Sequence, residues 1–359
     1  MERQHRPGQV RSGARCGKRK VVTMSHETPA RDRPLTTALT QAAATAGLAP
    51  SVHNSQPWRW TVLPDTLELR MVHEPQLAAT DPENRLVTLS CGLALHHARV
   101  ALAAEGWPAQ VERLPDPGQL ELLARLGRFQ QTVADADATR LVQCMRVRQT
   151  DRRPVSDEQV PDATLDEIVK AAGAQGTRLQ LLGPDQVVEL AAAAAQAAVV
   201  AAEEPELQEE LAYWTSRANT GVGLPPEVLP ERPPQTTVPG RDFGHPGTLP
   251  IGPGHDRAAV YGILWNTDDE PDSWLRAGEG LSAAWLTATR LGVSMVPLSG
   301  VVETDGTRQT VRQMLAGLGF PYLAMRLGIA DRAHAAPPHT PRLPTEQVVD
   351  TSAVDAGTR

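Results

Sequence analysis

Aromatic residues are scarce in this chain. Three Phe, three Tyr and seven Trp make up 4% of 359 residues, so base stacking on clustered rings has little to work with and a nucleic-acid partner is not expected. The core must be filled by Ala, Leu and Val instead. Cysteine is thin as well. Cys16, Cys91 and Cys144 are odd in number and lack CxxC spacing, which argues against a disulfide framework and fits a reducing cytoplasm. No run of eighteen or more apolar residues stands out, so no membrane segment is expected. Also missing are GxxxxGK(S/T), HExxH, GxSxG and a helix-opening GxGxxG; Gly221-Val222-Gly223 runs straight into Leu224-Pro225-Pro226. P-loop, zinc-protease, hydrolase and Rossmann readings fail together. His96-His97 lies inside a helical pattern, where neighbours point to different faces, and no metal is assigned.

Charge is present but uneven. The net charge is -7. The first twenty residues hold seven basic groups against Glu2, a surplus of six, so the rest of the chain carries -13. Residues 1–30 are expected to be a disordered basic extension without an apolar signal region, and Met24 is an alternative translation start to Met1.

Leu35, Leu39, Ala42, Ala43 and Ala46 recur at helical spacing. Arg59–Leu63 and Leu67–Val72 read as a hairpin around Pro64-Asp65. Asp81-Pro82-Glu83 reads as the start of a long helix through Leu86, Leu93 and Val100 to Gly106. A second series begins near Asp135, with helices over 135–145 and 165–169, a strand at 178–182 and an alanine-rich helix over 187–202. Residues 215–256 are crowded with Pro and Gly, as in a lid or binding segment rather than a connector. Beyond them come a strand at 260–264, a helix at 281–291, a short strand at 293–296 and a last strand at 320–329. Strands and helices mix without βαβ alternation, which favours an α+β class. The expected divisions are 31–134, 135–350 and a tail at 351–359.

The informative segment is Ala49-Pro50-Ser51-Val52-His53-Asn54-Ser55-Gln56-Pro57-Trp58. Two prolines restrict its ends while Ser51, Asn54 and Gln56 offer short polar groups. That suits a planar ligand with fixed donors and acceptors, and it suits a well-capped connecting loop equally. The segment resembles the flavin-contacting APSxxNxQPW motif of the nitroreductase family. With that family in view, Arg148-Gln149-Thr150-Asp151-Arg152 resembles its RRSxR segment, which holds the FMN phosphate and flavin edge; Thr150 replaces the serine. Guanidinium forks match phosphate oxygens in geometry and charge. Arg342, in Pro341-Arg342-Leu343-Pro344, resembles the family's C-terminal arginine, and Pro297-Leu298-Ser299-Gly300 the backbone that lies along the reactive flavin edge.

The order of these pieces is unusual. The APS segment has no RRSxR before it, while the arginine segment opens a second half whose corresponding stretch, Ala171–Arg178, lacks APSxxN. The chain is thus similar to the internally duplicated Acg-type branch. The resemblance implies two related halves forming an intrachain pseudo-dimer around a mainly antiparallel sheet, complete without a second copy. The implied FMN site comprises Pro50, Ser51, Val52, Asn54, Arg148, Gln149, Thr150, Arg152, Pro297, Leu298, Ser299, Gly300 and Arg342, with no catalytic nucleophile or acid–base pair. The implied activity is hydride transfer from NAD(P)H to a nitroaromatic, quinone or similar acceptor. The alternative is an FMN-sequestering stress protein, because Ser299 stands where many active members are acidic and the 215–256 loop is placed to cover the ring. Trp58 and Trp60 share a strand face and read as core; His53 reads as a loop residue.

Overall fold

The computed structural model describes residues 34–73, 77–217, 220–252, 254–333 and 335–355. The expected basic extension, Met24 and Cys16 lie outside these residues. Two separate sheets form, rather than one. The first contains β1 (Trp58–Val62), β2 (Leu67–Met71), β3 (Gln110–Arg113) and β4 (Leu122–Gly127) in the order β1-β2-β4-β3. The second contains β5 (Arg178–Leu181), β6 (Val260–Asn266), β7 (Ser294–Leu298) and β8 (Phe320–Gly328) in the order β5-β6-β8-β7. The two orders are the same, and every one of these neighbouring pairs is antiparallel. A short strand, β9 (Val349–Asp350), crosses back to pair in parallel with β1 at Trp60 and Thr61. The end of the chain thereby closes the edge of the sheet built at its beginning, leaving fewer backbone groups unpaired there.

Helix α1 (Leu35–Ala46) precedes the first sheet. Helix α2 (Arg85–Ala104) follows β2, α3 (Ala136–Val147) and α4 (Asp162–Gly173) precede β5, and α5 (Pro184–Glu203) and α6 (Pro205–Thr215) follow it. Helix α7 (Pro271–Arg290) follows β6, and α8 (Gly300–Glu303) and α9 (Asp305–Met314) link β7 to β8. Short helices α10 (Thr345–Val348) and α11 (Ser352–Asp355) flank β9.

The twenty-residue helices α2 and α7 cross at equivalent positions. Gly92 and Gly278 are each the eighth residue of their helix. A Cβ on Gly92 would lie 2.1 Å from the Leu275 carbonyl oxygen, and one on Gly278 would lie 1.9 Å from that of Leu89. Leu89 and Leu275 are each the fifth residue, so residue i meets j as j meets i. That is the signature of a two-fold contact, here made inside one chain. Side chains at the crossing would hold the backbones apart, which is why both positions are glycine. Glu279, fully buried beside the crossing, pairs with Arg99 and with Arg113 at 2.7 Å.

The scarcity of aromatics is met as composition requires: α1 buries Ala38, Leu39, Ala42, Ala43 and Ala46, against a few large rings. Trp58 and Trp60 project from one face of β1 and are wholly buried. Three features depart from expectation. Asp81 is not the residue that starts α2. Asn84, in the left-handed region at φ 58°, separates the two, and the Asp81 carboxylate instead reaches forward to accept from the Val87 amide at 2.8 Å. Strands β3 and β4 and helices α6 and α9 form in stretches to which the sequence patterns assign no element. Finally, α2 and α5 are long and apolar enough by length and composition to cross a membrane. The apolar window of α2 is 89% buried, as in a core helix, whereas that of α5 is 22% buried.

Candidate functional site

The loop after α1 has three residues in the left-handed region, His53 (φ 47°), Asn54 (φ 57°) and Gln56 (φ 53°). Such backbone is costly without glycine and persists where surroundings over-determine it. Ser51 Oγ accepts from the Gln56 amide at 2.9 Å, Ser55 Oγ donates to the Val52 carbonyl at 2.8 Å, and the Val52 amide donates to Ser90 Oγ on α2 at 3.1 Å. The two carboxamides face away from the loop. Asn54 Nδ2 donates to the carbonyls of Gly223 (3.1 Å) and Pro341 (3.0 Å). Gln56 Nε2 donates to Gly221 (2.7 Å) while its Oε1 accepts from the Leu343 amide (2.9 Å). The loop is therefore fixed to the root of the Pro/Gly segment and to the C-terminal segment at once.

On its other side the loop borders a cavity of about 640 Å³. Nine of the thirteen expected residues line it: Pro50, Ser51, Val52, Thr150, Arg152, Pro297, Leu298, Ser299 and Gly300. These come from three segments far apart in sequence. Leu89 and Leu93 of α2, Leu281 and Trp285 of α7, and 236–245 of the Pro/Gly segment complete the wall. That segment is held by a small core of its own, Leu224, Val228 and Leu229 packed with Phe243, and Arg152 grips it through the Val228 carbonyl (3.1 Å) and the Phe243 ring (5.4 Å to the centroid). Burial and then the charge of Arg241 lower the Arg152 guanidinium to about 10.

Asn54, Arg148, Gln149 and Arg342 do not line the cavity; they stand beside it. Arg148 lies with its guanidinium carbon 4.5 Å from the centroid of Trp285, a wall residue. It is buried, and among the described residues its Nε and Nη1 find no hydrogen-bond partner. Burial, then the charge of Arg342, lowers it to about 9. Arg342 is tied by Nη1 to Asn54 Oδ1 (3.0 Å) and Thr340 Oγ1 (2.6 Å) and by Nη2 to the Leu48 carbonyl (3.2 Å), but its Nε is likewise unsatisfied. His97, wholly buried, is held well below its ordinary pKa by burial and by the charges of Arg148 and Arg342, among others, and its Nε2 is also unpartnered. His339 lies 3.3 Å from Gln149 and is lowered by burial and by the same two arginines. Arg148 is buried and Arg342 half-buried, and with no carboxylate among their interacting charges the pair is suited to an anion, since buried charge is tolerated only when paired.

Sequence reasoning missed a second group. Arg241, in the Pro/Gly segment, makes an ion pair with Glu303 of α8 and a 3.4 Å hydrogen bond to Ser299 Oγ. Burial alone would raise Glu303, but the charge and hydrogen bond of Arg241 hold it below the ordinary carboxylate range. His53 is lowered to about 3 by burial, then by Arg241, and is neutral at physiological pH. Glu303 follows Ser299 by four residues, so an acid does reach this part of the cavity one helical turn later than the family pattern suggested. The free thiols Cys91 and Cys144 are buried, and burial raises both.

No family model matches the chain. It is 38% identical over 306 residues to a Mycobacterium tuberculosis protein provisionally named NAD(P)H nitroreductase Rv3131, covering 84% of this chain and 88% of that one. It is 33% identical over 324 residues to the provisionally named NAD(P)H nitroreductase Acg of the same organism, covering 89% and 97%. A solved nitroreductase with bound FMN from Bacteroides fragilis shares 13% identity over 56% of this chain and 93% of its own, with a TM-score of 0.36. On the strength of the two mycobacterial relatives, the chain belongs to the nitroreductase family, in the branch that includes Acg.

Proposed function

We propose that the protein is an FMN-dependent oxidoreductase that takes hydride from NAD(P)H and passes it to a nitroaromatic, quinone or similar acceptor. The observation that carries this reading is the pair of partly unpartnered guanidiniums, buried Arg148 and half-buried Arg342, placed beside a cavity already lined by the APS and 297–300 segments. FMN, when bound, supplies the two-electron chemistry, so no nucleophile or acid–base pair is needed from the protein. The chain binds, orients and excludes water. Arg148, Arg342 and Gln149 would hold the phosphate, because charge-assisted donors match its oxygens. Thr150, Arg152, Ser51 and Val52 would set the polar edge of the ring, and the backbone of Pro297–Gly300 the reactive edge. Leu89, Leu93 and Leu281 keep that region dry. Asn54 acts through Arg342 rather than on the ring. The neutral His53 carries no imidazolium proton to give up at physiological pH. A site assembled within one chain needs no second copy, and the buried free thiols suit a reducing cytoplasm.

The ion pair Arg241–Glu303 favours a second reading, in which the 215–256 segment is latched over the ring and the protein stores FMN with little turnover. Anaerobic mixing of the FMN-loaded protein with NADH or NADPH separates the two. Rapid bleaching of the yellow colour supports the oxidoreductase, and persistent colour under excess donor supports storage.

A further inference from the structure

The cavity lining runs from the 297–300 segment out to helices α5 and α6. Its exposed lining residues are Ala198, Ala202, Gln208 and Ala212 of α5 and α6, together with residues of the 239–245 stretch. The mouth therefore lies between these two helices and the lid, far in sequence from the arginine segment. Between mouth and interior the wall is Ala194, Ala197, Ala201, Leu207 and Leu211. Among the lining residues of the 215–256 segment are Asp242 and Arg241, and Arg241 is paired with Glu303. The alanine and leucine lining offers hydrocarbon contact along this arm.

We propose that this outer arm holds the hydrocarbon tail of an uncharged, elongated acceptor of the prenylated-quinone kind. The inference rests on the flavin reading for its chemistry, and names the acceptor class for that same site. The reaction balances as one hydride from reduced nicotinamide and one proton from solvent, both delivered to the quinone, giving quinol and oxidised nicotinamide. The tail lies against the α5–α6 wall while the quinone head reaches the end bounded by Ser51, Arg152 and Ser299. Small alanine side chains leave width for the chain, and Leu207 and Leu211 supply the contact that would otherwise be made by water.

The test is a titration of the full-length protein with quinones bearing zero, one or two isoprene units, read by quenching of tryptophan fluorescence. Trp285 stands in the cavity wall, so this reading works with or without flavin, while the yellow colour reports FMN separately. Each isoprene unit is expected to lower Kd by about tenfold or more, as apolar burial on this scale requires. Ala201→Glu and Leu211→Glu should each erase the length dependence, and Val188→Glu, on the exposed outer face of α5, should keep it. A Kd independent of tail length, or a length dependence that survives both cavity variants in folded protein, overturns the inference. A colourless protein that ignores FMN but keeps the length dependence would instead remove the flavin reading and leave the arm in place.

Discussion

Asn54 Oδ1 accepts a 3.0 Å hydrogen bond from Arg342 Nη1, joining residues 288 positions apart. The same carboxamide donates to Pro341 and Gly223, so one side chain sets the C-terminal arginine and the root of the Pro/Gly segment together. Asn54→Leu should misplace Arg342 and weaken FMN by roughly tenfold to 150-fold, the range for about 1.5–3 kcal/mol at a charged hydrogen bond. Riboflavin, which lacks the phosphate, should bind almost as before. Equal losses for both ligands in a calorimetric titration would argue that Asn54 serves the loop alone.

The glycine crossing makes a symmetrical prediction. Gly92→Ala and Gly278→Ala place Cβ atoms at 2.1 and 1.9 Å from carbonyl oxygens of the opposite helix, and backbone at a helix crossing yields little. Each should cost about 1–3 kcal/mol or more through overpacking, and the two costs should be similar. Thermal unfolding measures both. An unchanged melting temperature for either would remove the crossing as the seam between the halves.

Trp60 is a packing residue. It is wholly buried, and its loss should cost about 3–5 kcal/mol. Trp60→Ala should therefore melt earlier while any bound flavin keeps its visible spectrum; a shifted spectrum would bring Trp60 to the ring.

Acid should unfold the protein through its histidines. His53 and His96 are lowered to about 3, first by burial, and His97 well below its ordinary value. Below pH 6.5 the unfolded chain takes up protons that the folded chain refuses, so stability falls as pH falls. His53 and His96 each contribute a slope approaching about 1.4 kcal/mol per pH unit between 6.5 and 3, and His97 acts in the same direction. Chemical denaturation across pH 7 to 4 measures this slope, and His96→Gln should flatten it. A stability independent of pH over that window would contradict the burial of neutral imidazoles.

Much of the candidate site was legible because its segments carry specific patterns. Pro50–Val52, Thr150, Arg152 and Pro297–Gly300 were expected to share a site, and the fold places them around one cavity. What stayed hidden depends on distant contacts. Asn54 reads locally as a ligand donor, yet its amide is taken by carbonyls of Gly223 and Pro341, which no local pattern reveals. Arg241 sits in a Pro/Gly-rich stretch without periodicity, and only the return of that stretch over the cavity brings it to Glu303. In the fold, α1, β1, α2 and β8 announced themselves by spacing. Strands β3 and β4 did not, because β3 alternates exposed and half-buried residues with no large apolar face. Two sheets replace the one expected because each half closes its own four strands and only β9 crosses between them.

The account rests on a phosphate held by Arg148 and Arg342. Its most direct test compares FMN with riboflavin on the purified protein and on Arg148→Ala by equilibrium titration. The prediction is tight FMN binding near one per chain, much weaker riboflavin, and a loss of roughly tenfold to 150-fold for FMN in the variant, from about 1.5–3 kcal/mol per charged hydrogen bond. Equal affinity for the two flavins, or an Arg148→Ala protein that keeps its FMN through dialysis, would contradict it.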